Sequence, residues 1–311
     1  MRKFNSRICD LLSITYPIFQ GGMAWVSDPV LAAAVSNAGG LGILSAMSAD
    51  AAFITSEIAK IRTLTDKPFG VNIMLMSPFA DQVAQAVIEE QVPVVTTGAG
   101  MPGKYMESWN KAGLTIIPVV ASVAFARRLE RMGAAAVIAE GAEAGGHVGD
   151  LNTMALVPQV CDAVSIPVIA AGGIADGRGM AAAFMLGAEG VQCGTCFLAA
   201  EECRVHQAYK EKIVNAGDTD TIVTGKKLGH PVRALKTPFT RKFAQMENNP
   251  DMTQEDADNF GTGALRRAVL EGDGPMGCYM AGQSAGLVKK IQPASAIIQE
   301  MAEQAAQLLQ I

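Results

Sequence analysis

The sequence predicts an α/β protein built on a (β/α)8 TIM barrel, with a smaller C-terminal second domain and a terminal helix that returns to the barrel. Three observations carry this. Short apolar, β-branched runs recur through the first two thirds of the chain and alternate with helix-like segments, the pattern of parallel strands joined by crossover helices. Eight such runs are present, the number a closed barrel of this kind needs. After Ala200 the alternation stops and a more polar stretch begins.

In order, the runs are YPIFQG (16–21), GLGILS (40–45), FGVNIML (69–75), PVVTTG (93–98), TIIPVV (115–120), AVIAEG (136–141), PVIAAGG (167–173) and GVQCGT (190–195). Between them lie helix signals. Asp28-Pro29 places a capping carboxylate before a proline at the first helical position, and Ser48 and Ser122 stand where later caps are wanted. In DAAFITSEIAKIRTL, Phe53, Ile54, Ile58, Ile61 and Leu64 fall on one helical face. NAGGLG (37–42) precedes a strand, so its glycines read as a helix C-cap. A doubly wound sheet is the alternative, but the first strand-to-helix turn, GGMAWVSDP, lacks G-x-G-x-x-G. The expected organisation is a barrel over 1–200, a smaller covering domain over 201–285, and a helix over 286–311 whose periodicity in PASAIIQEMAEQAAQLL suits packing on the barrel.

Composition narrows the function classes. Of 311 residues, 50% are hydrophobic and 18% charged, which favours a large buried core over disorder. No apolar run approaches the roughly 18 residues of a membrane span, and MRKFNSRICDLLS has no signal-peptide core, so a cytoplasmic protein without membrane contact is expected. A net charge of −5 disfavours nucleic acid. The charge is uneven: nine Lys or Arg and three Asp or Glu between Arg204 and Lys242 make that segment +6 and the remainder −11. Either an acidic partner docks there or the charges form a solvated surface. Six well-separated cysteines read as reduced thiols. CGTC (193–196) lies in a strand-like run, where residues three apart point to opposite faces, so neither a redox nor a metal site is expected.

Barrel chemistry sits at the C-terminal ends of the strands, with phosphate commonly held after strands 7 and 8. Those ends carry Gly172 and Gly173 in AAGGIADGRG and Gln192, Cys193, Gly194 and Thr195 in QCGT. Glycine lets backbone N–H groups approach phosphate oxygens, and a helix starting near Asp176 would add its positive end; the bland reading is that these glycines make turns. Gly22, Met23 and Ala24 follow strand 1, Asn72 lies in strand 3 and Glu140 ends strand 6. A flat ring needs glycine for close approach, an amide for its polar edge and a soft residue against its face, a combination that suits FMN. Against this, Asn72 reads equally as a satisfied amide and Met23 as core.

The motifs YPIFQGGMAWVSDPVLAAAVSNAGGLG, KPFGVNIML, VVTTGAG, AVIAEGAEAGGHVG, IPVIAAGGIADGRG and MAGQSAGLV together resemble the FMN-dependent enoyl-acyl-carrier-protein reductase II family, a branch of the nitronate monooxygenase superfamily. The resemblance implies flavin contacts at Gly22, Met23, Ala24, Asn72, Glu140, Gly145, Gly173 and the run Gln192 to Thr195. It implies a segment closing over the cofactor at Gly282, Gln283 and Ser284, and a catalytic histidine at His147. Glu140 in EGAEAGGH matches the enoyl-reductase branch, where related nitronate monooxygenases have glutamine. Cys196 and Ala142 depart from the family pattern.

The implied reaction takes hydride from NADH to flavin N5 and then to C3 of a trans-2-enoyl chain on acyl carrier protein, with protonation at C2. His147 either donates that proton or stabilises the thioester oxygen. Glu143 is a candidate to orient it, and His206 and His230 read as surface or packing residues. The resemblance also implies a homodimer and raises a monovalent cation as a further requirement. The runner-up is a nitronate monooxygenase using the same flavin, the same histidine as base, and oxygen. A third reading is a flavin-free barrel that serves as a binding protein.

Overall fold

The structure, a computed structural model, describes residues 4–46, 49–251 and 253–311, without the side chain of Gln254. All eight expected runs are strands: β1 Ile18–Gln20, β2 Gly42–Ser45, β3 Phe69–Met74, β4 Val94–Gly98, β5 Thr115–Val120, β6 Val137–Glu140, β7 Val168–Ala171 and β8 Gly190–Cys193. From β2 to β8 each pairs in parallel with the next. β8 pairs back onto β1 with Phe19 opposite Gln192. β1 meets the β2 edge at the bridge between Phe19 and Leu41, where Gln20 N donates to Leu41 O at 2.9 Å. The ring is thus nearly closed, a (β/α)8 barrel.

Alternation along the strands separates two buried layers. Phe19, Ile43, Val94, Ile117, Ile138 and Ile169 share an inner cluster with Ile8 and Leu12 of the N-terminal helix Arg7–Leu12. That helix plugs the barrel end where the strands begin, because Arg7 pairs with Glu189, immediately before β8. The opposite end is left open for chemistry. The alternate residues, among them Ile18, Leu44, Val71 and Val191, pack outward against the helices.

The caps at Asp28 and Ser122 follow the sequence. Asp28 accepts from Val30 N and Leu31 N ahead of Pro29, and Ser122 accepts from Phe125 N. Ser48 lies outside the described residues, and the cap of helix Ala51–Leu64 is Asp50, which accepts from Phe53 N at 2.8 Å. On that helix Ile54, Ile58 and Ile61 are fully buried, but Phe53 and Leu64 are 53% and 45% exposed. At about 100° per residue both lie on the flank of the apolar stripe rather than its centre. The C-cap reading of NAGGLG holds: helix Pro29–Asn37 ends at Ala38, and Gly39 takes φ +94°.

CGTC is not all strand. β8 stops at Cys193 and a short helix, Thr195–Leu198, starts at once, so the two thiols come into hydrogen-bonding contact instead of pointing apart. That contact, with burial, pushes the Cys193 thiol well above its ordinary range.

Beyond the barrel, helix Gln207–Val214 is followed by the antiparallel strands Thr221–Thr224 and Val232–Leu235 and helices Pro238–Glu247 and Gln254–Gly261. A third strand of this small sheet comes from the barrel itself: Gly146–His147, in the loop after β6, pairs with Arg233 and Val232. The terminal helix Ala294–Leu309 returns to pack on helices Gly177–Met185 and Pro29–Asn37. Among the described residues no helix is long and apolar enough to cross a membrane.

Candidate active site

A cavity of about 560 Å³ opens at the C-terminal ends of the strands. Of the residues singled out from sequence, Gly22, Met23, Ala24, Asn72, Glu140, Gly145, His147, Gly172, Gly173, Gln192, Gly194, Thr195, Gly282 and Ser284 all line it. Two do not. Cys193 is buried behind the strand against Cys196, and Gln283 is exposed, with its backbone N–H bonded to Glu143 O at 2.9 Å.

One wall carries amides. The Asn72 carbonyl oxygen accepts from Thr96 Oγ1 at 2.9 Å, which leaves its NH2 group free, and the Gln192 amide has no partner among the described residues. Both are 9% exposed, and both face the cavity. Amide atoms that face a cavity without a protein partner are available to a ligand. Gly22 is forced here: a Cβ on it would stand 2.3 Å from Asn72 Cβ. The strand-1 turn therefore lies flat beside the amide and leaves room for a planar group.

At the far end Gly172 and Gly173 take φ +93° and +76°. Across from them the first turn of helix Thr195–Leu198 has no side-chain cap. Thr195 Oγ1 accepts from Gly282 N at 2.9 Å and keeps its own hydrogen to donate. The helix after β7 contributes less than its sequence implies. Asp176 accepts from Arg178 N and Gly179 N, and Gln304 Oε1 accepts from Gly177 N, so its first-turn donors are already satisfied. The donors left open to an anion here are the backbone of the glycine turns and the hydroxyl of Thr195.

Glu140 ends β6 with its carboxyl on the cavity and no hydrogen-bond partner among the described residues. Desolvation raises its pKa to about 7. A folded value above the ordinary 4.5 means that stability is full at low pH and is lost as pH rises through about 7. Glu140→Gln should therefore raise the Tm of the apoprotein at pH 8, by up to about 3 kcal/mol in stability, and change little at pH 5. Melting curves at the two pH values check this, and equal shifts at both would show that the carboxyl is not held neutral.

His147 stands at the cavity mouth, reached by solvent through the opening. Desolvation, followed by the charge of the neighbouring His230, lowers its pKa, so the neutral imidazole prevails at neutral pH. It sits on a β ladder, not on an unrestrained glycine loop, since its backbone pairs with Val232 and the next residue, Val148, donates to Pro231 O. Glu143 does not orient it: both carboxylate oxygens accept from Thr153 N, and one also from Thr153 Oγ1, tying the loop to helix Thr153–Cys161. Gly145 and Gly282 set the approach of the loop to the covering segment, because a Cβ on Gly145 would stand 2.6 Å from the Ala281 carbonyl carbon.

The apolar part of the lining was not read from sequence. Met74, Val119, Phe125, Tyr209, Leu265 and Met280 come from six separate segments, and no local pattern marks them as neighbours. VVTTGAG held the one available signal, since Gly98, Ala99 and Gly100 line the mouth and Ala99 takes φ +55°.

A model of the nitronate monooxygenase family matches residues 5–86 and 76–304. The chain belongs to the nitronate monooxygenase family. Members of this family are FMN-dependent flavoenzymes. Among solved structures the chain is similar to FabK from Thermotoga maritima, with 54% identity, TM-score 0.96, and 98% of this chain and 97% of that one covered. Nitroalkane oxidase from Streptomyces ansochromogenes is also similar, at 31% identity and TM-score 0.87 over 98% and 99% of the two chains. A probable nitronate monooxygenase from Staphylococcus aureus is 34% identical over 98% of this chain and 99% of its own length. The protein is an oxidoreductase of this family.

The site fits FMN. The free NH2 of Asn72 and the amide of Gln192 suit the polar edge of a flavin, the Gly21–Gly22 turn its plane, and the glycine turns with Thr195 and Ser284 its phosphate.

The basic segment is less free than its count implies. Lys210 is buried, donating to Ala200 O and Glu201 O; Arg233 is bound to Ala142 O; Lys212 lies 5.1 Å from the Tyr279 ring centroid. Arg204, Lys226, Lys227, Lys236, Arg241 and Lys242 remain exposed.

Proposed function

We propose that the protein is an NADH-dependent, FMN-containing trans-2-enoyl-acyl-carrier-protein reductase. The observation that carries this is the 54% identity to FabK, an enoyl-acyl-carrier-protein reductase II, across the whole chain, against 31% to the nitroalkane oxidase. Glu140, where the nitronate branch has glutamine, agrees with it.

When bound, FMN supplies the two-electron carrier that takes hydride from NADH and passes it to C3 of the enoyl thioester. Gly22, Met23, Ala24, Asn72, Glu140, Gly172, Gly173, Gln192, Gly194 and Thr195 would hold it, with Gly145, Gly282 and Ser284 closing over it. Cys193 would back that shell from within the barrel wall, and Gln283, through its backbone N–H to Glu143 O, would fix the covering segment. His147 donates an N–H hydrogen bond to the thioester oxygen as negative charge develops there. The downward direction of its pKa favours this role over proton delivery to C2, because the neutral ring keeps an N–H to donate as a hydrogen bond. The apolar wall of Met74, Phe125 and Leu265 excludes water from the acyl chain.

In this reading the barrel, 1–200, holds the cofactor, 201–285 covers it, and 286–311 braces the barrel. The exposed cations of 204–242 receive the acidic acyl carrier protein. The active form is a cytoplasmic homodimer.

Purified protein is expected to be yellow, and to consume NADH anaerobically with crotonyl or longer enoyl thioesters. Absence of NADH consumption with every enoyl thioester, alongside aerobic turnover of an alkyl nitronate, would establish the runner-up, which the family model and the Staphylococcus relative favour. Colourless protein that takes up no FMN would leave a binding protein. NADPH in place of NADH, and buffers with and without potassium, test nucleotide choice and the monovalent cation.

A further inference from the structure

We infer that Arg233 is a positioning residue that holds His147 in its working place, an inference that rests on the catalytic reading of His147. Arg233 grips the loop after β6 at two points. Its backbone pairs with Gly146 in the small sheet, directly beside the pairing of Val232 with His147. Its side chain reaches back to the start of the same loop, where Nε and Nη2 donate to Ala142 O at 3.2 and 3.0 Å. The remaining arm is fixed too, as Nη1 donates to Thr221 Oγ1 at 3.1 Å on the adjacent strand.

The physical case for such a clamp is direct. The loop from Gly141 to Gly149 carries four glycines, Gly141, Gly145, Gly146 and Gly149, so what restrains His147 is the ladder to Val232 and Arg233 rather than stiffness of the loop itself. A guanidinium presents donors in a fixed planar fork, and here the fork bridges a carbonyl of the loop and a hydroxyl of the sheet. The group is half-buried and desolvated, which lowers its pKa, while the charge of Glu143 acts to raise it. Glu143 itself is committed to Thr153, so Arg233 is left to serve the loop rather than an ion pair. The same ladder brings His230, two residues before Val232, near the His147 ring. Arg233 thus fixes the loop at both ends of the stretch that presents the imidazole.

The test compares Arg233→Met, which keeps length but loses the fork, with Arg233→Lys and Thr221→Val. Arg233→Met is expected to retain FMN and the rate at which NADH reduces the bound flavin without enoyl substrate. Its kcat with an enoyl thioester should fall about tenfold or more, since loss of about 1.4 kcal/mol of transition-state stabilisation is tenfold. KM should change less. In the apoprotein, which has only three histidines, proton NMR should show the His147 pKa rising toward the ordinary value. Arg233→Lys should recover part of both effects, and Thr221→Val should show a smaller loss in the same direction. Wild-type kcat and an unmoved His147 titration in Arg233→Met overturn the inference. So does a parallel fall in FMN retention, flavin reduction and kcat, which marks a general structural role. If Arg233→Met does not fold, Arg233→Lys and Thr221→Val decide by the same readouts. Should the wild type turn over nitronates and no enoyl thioester, the function above fails; the NMR comparison and nitronate kcat then judge Arg233 independently.

Discussion

His147→Ala is expected to leave the protein yellow and to lower kcat for enoyl reduction by about 10²–10⁴-fold, the range for a positioned group acting on charge or a proton in the transition state. The two halves of this result come from different parts of the cavity. The groups suited to FMN are on the barrel rim and in the glycine turns, whereas His147 stands at the mouth on a strand of the small sheet. Removing the ring therefore spares the cofactor shell. The pH dependence separates its two candidate roles. With its pKa below the ordinary value, the imidazole is neutral at pH 7 and protonates only as pH falls. A proton-donating role predicts a rate that falls steadily as pH rises and the imidazolium is lost; a hydrogen-bonding role predicts a rate that persists at pH 8, because the neutral ring still carries an N–H donor, as the imidazolium does. Stopped-flow measurement of the enoyl half-reaction between pH 5 and 8, roughly the range over which histidine titrates, with the alanine variant as reference, distinguishes them. Unchanged turnover in His147→Ala would remove the residue from the mechanism.

Gly22→Ala should cost FMN itself. The added Cβ would lie 2.3 Å from Asn72 Cβ and 2.8 Å from its Cγ, so one of the two segments must move. Asn72 is 9% exposed and bonded to Thr96, and Gly22 lies two residues past the end of β1, so neither yields cheaply. Overpacking of this kind costs about 1–3 kcal/mol, and both the amide and the turn that would flank the ring are displaced. An increase of about 10–100-fold in the FMN dissociation constant is expected, read by flavin fluorescence on titration of the apoprotein. Far-UV circular dichroism should be unchanged, since the barrel core lies on the other side of β1. Wild-type affinity in this variant would mean that the cofactor does not lie against the strand-1 turn.

The barrel was legible because it is written locally. Every strand is a short β-branched run, and the Asp28 and Ser122 caps precede their helices as the rules require. Site glycines were legible for a related reason: backbone that passes close to another group excludes a side chain, and Gly22 and Gly145 are such places. Errors arose where one residue had two local readings. GVQCGT looks like continuous strand, but the chain turns into a helix after Gly194, which reverses the relation of Cys193 to Cys196. Glu143 looked free to orient His147, but helix Thr153–Cys161 needed its first donors satisfied and took the carboxylate.

What the sequence by itself determined is therefore the architecture and the inventory of the strand ends, because hydrophobic period, caps and glycine positions are properties of a few consecutive residues. Tertiary structure alone decided which groups meet. The lowered pKa of His147 comes first from desolvation and then from His230, more than eighty positions away, and the bond between Arg233 and Ala142 spans 91 positions. The raised pKa of Glu140 follows from desolvation at the end of β6, among groups brought there from other strands. Contact and desolvation are sums over neighbours brought together by folding, and no window along the chain contains them.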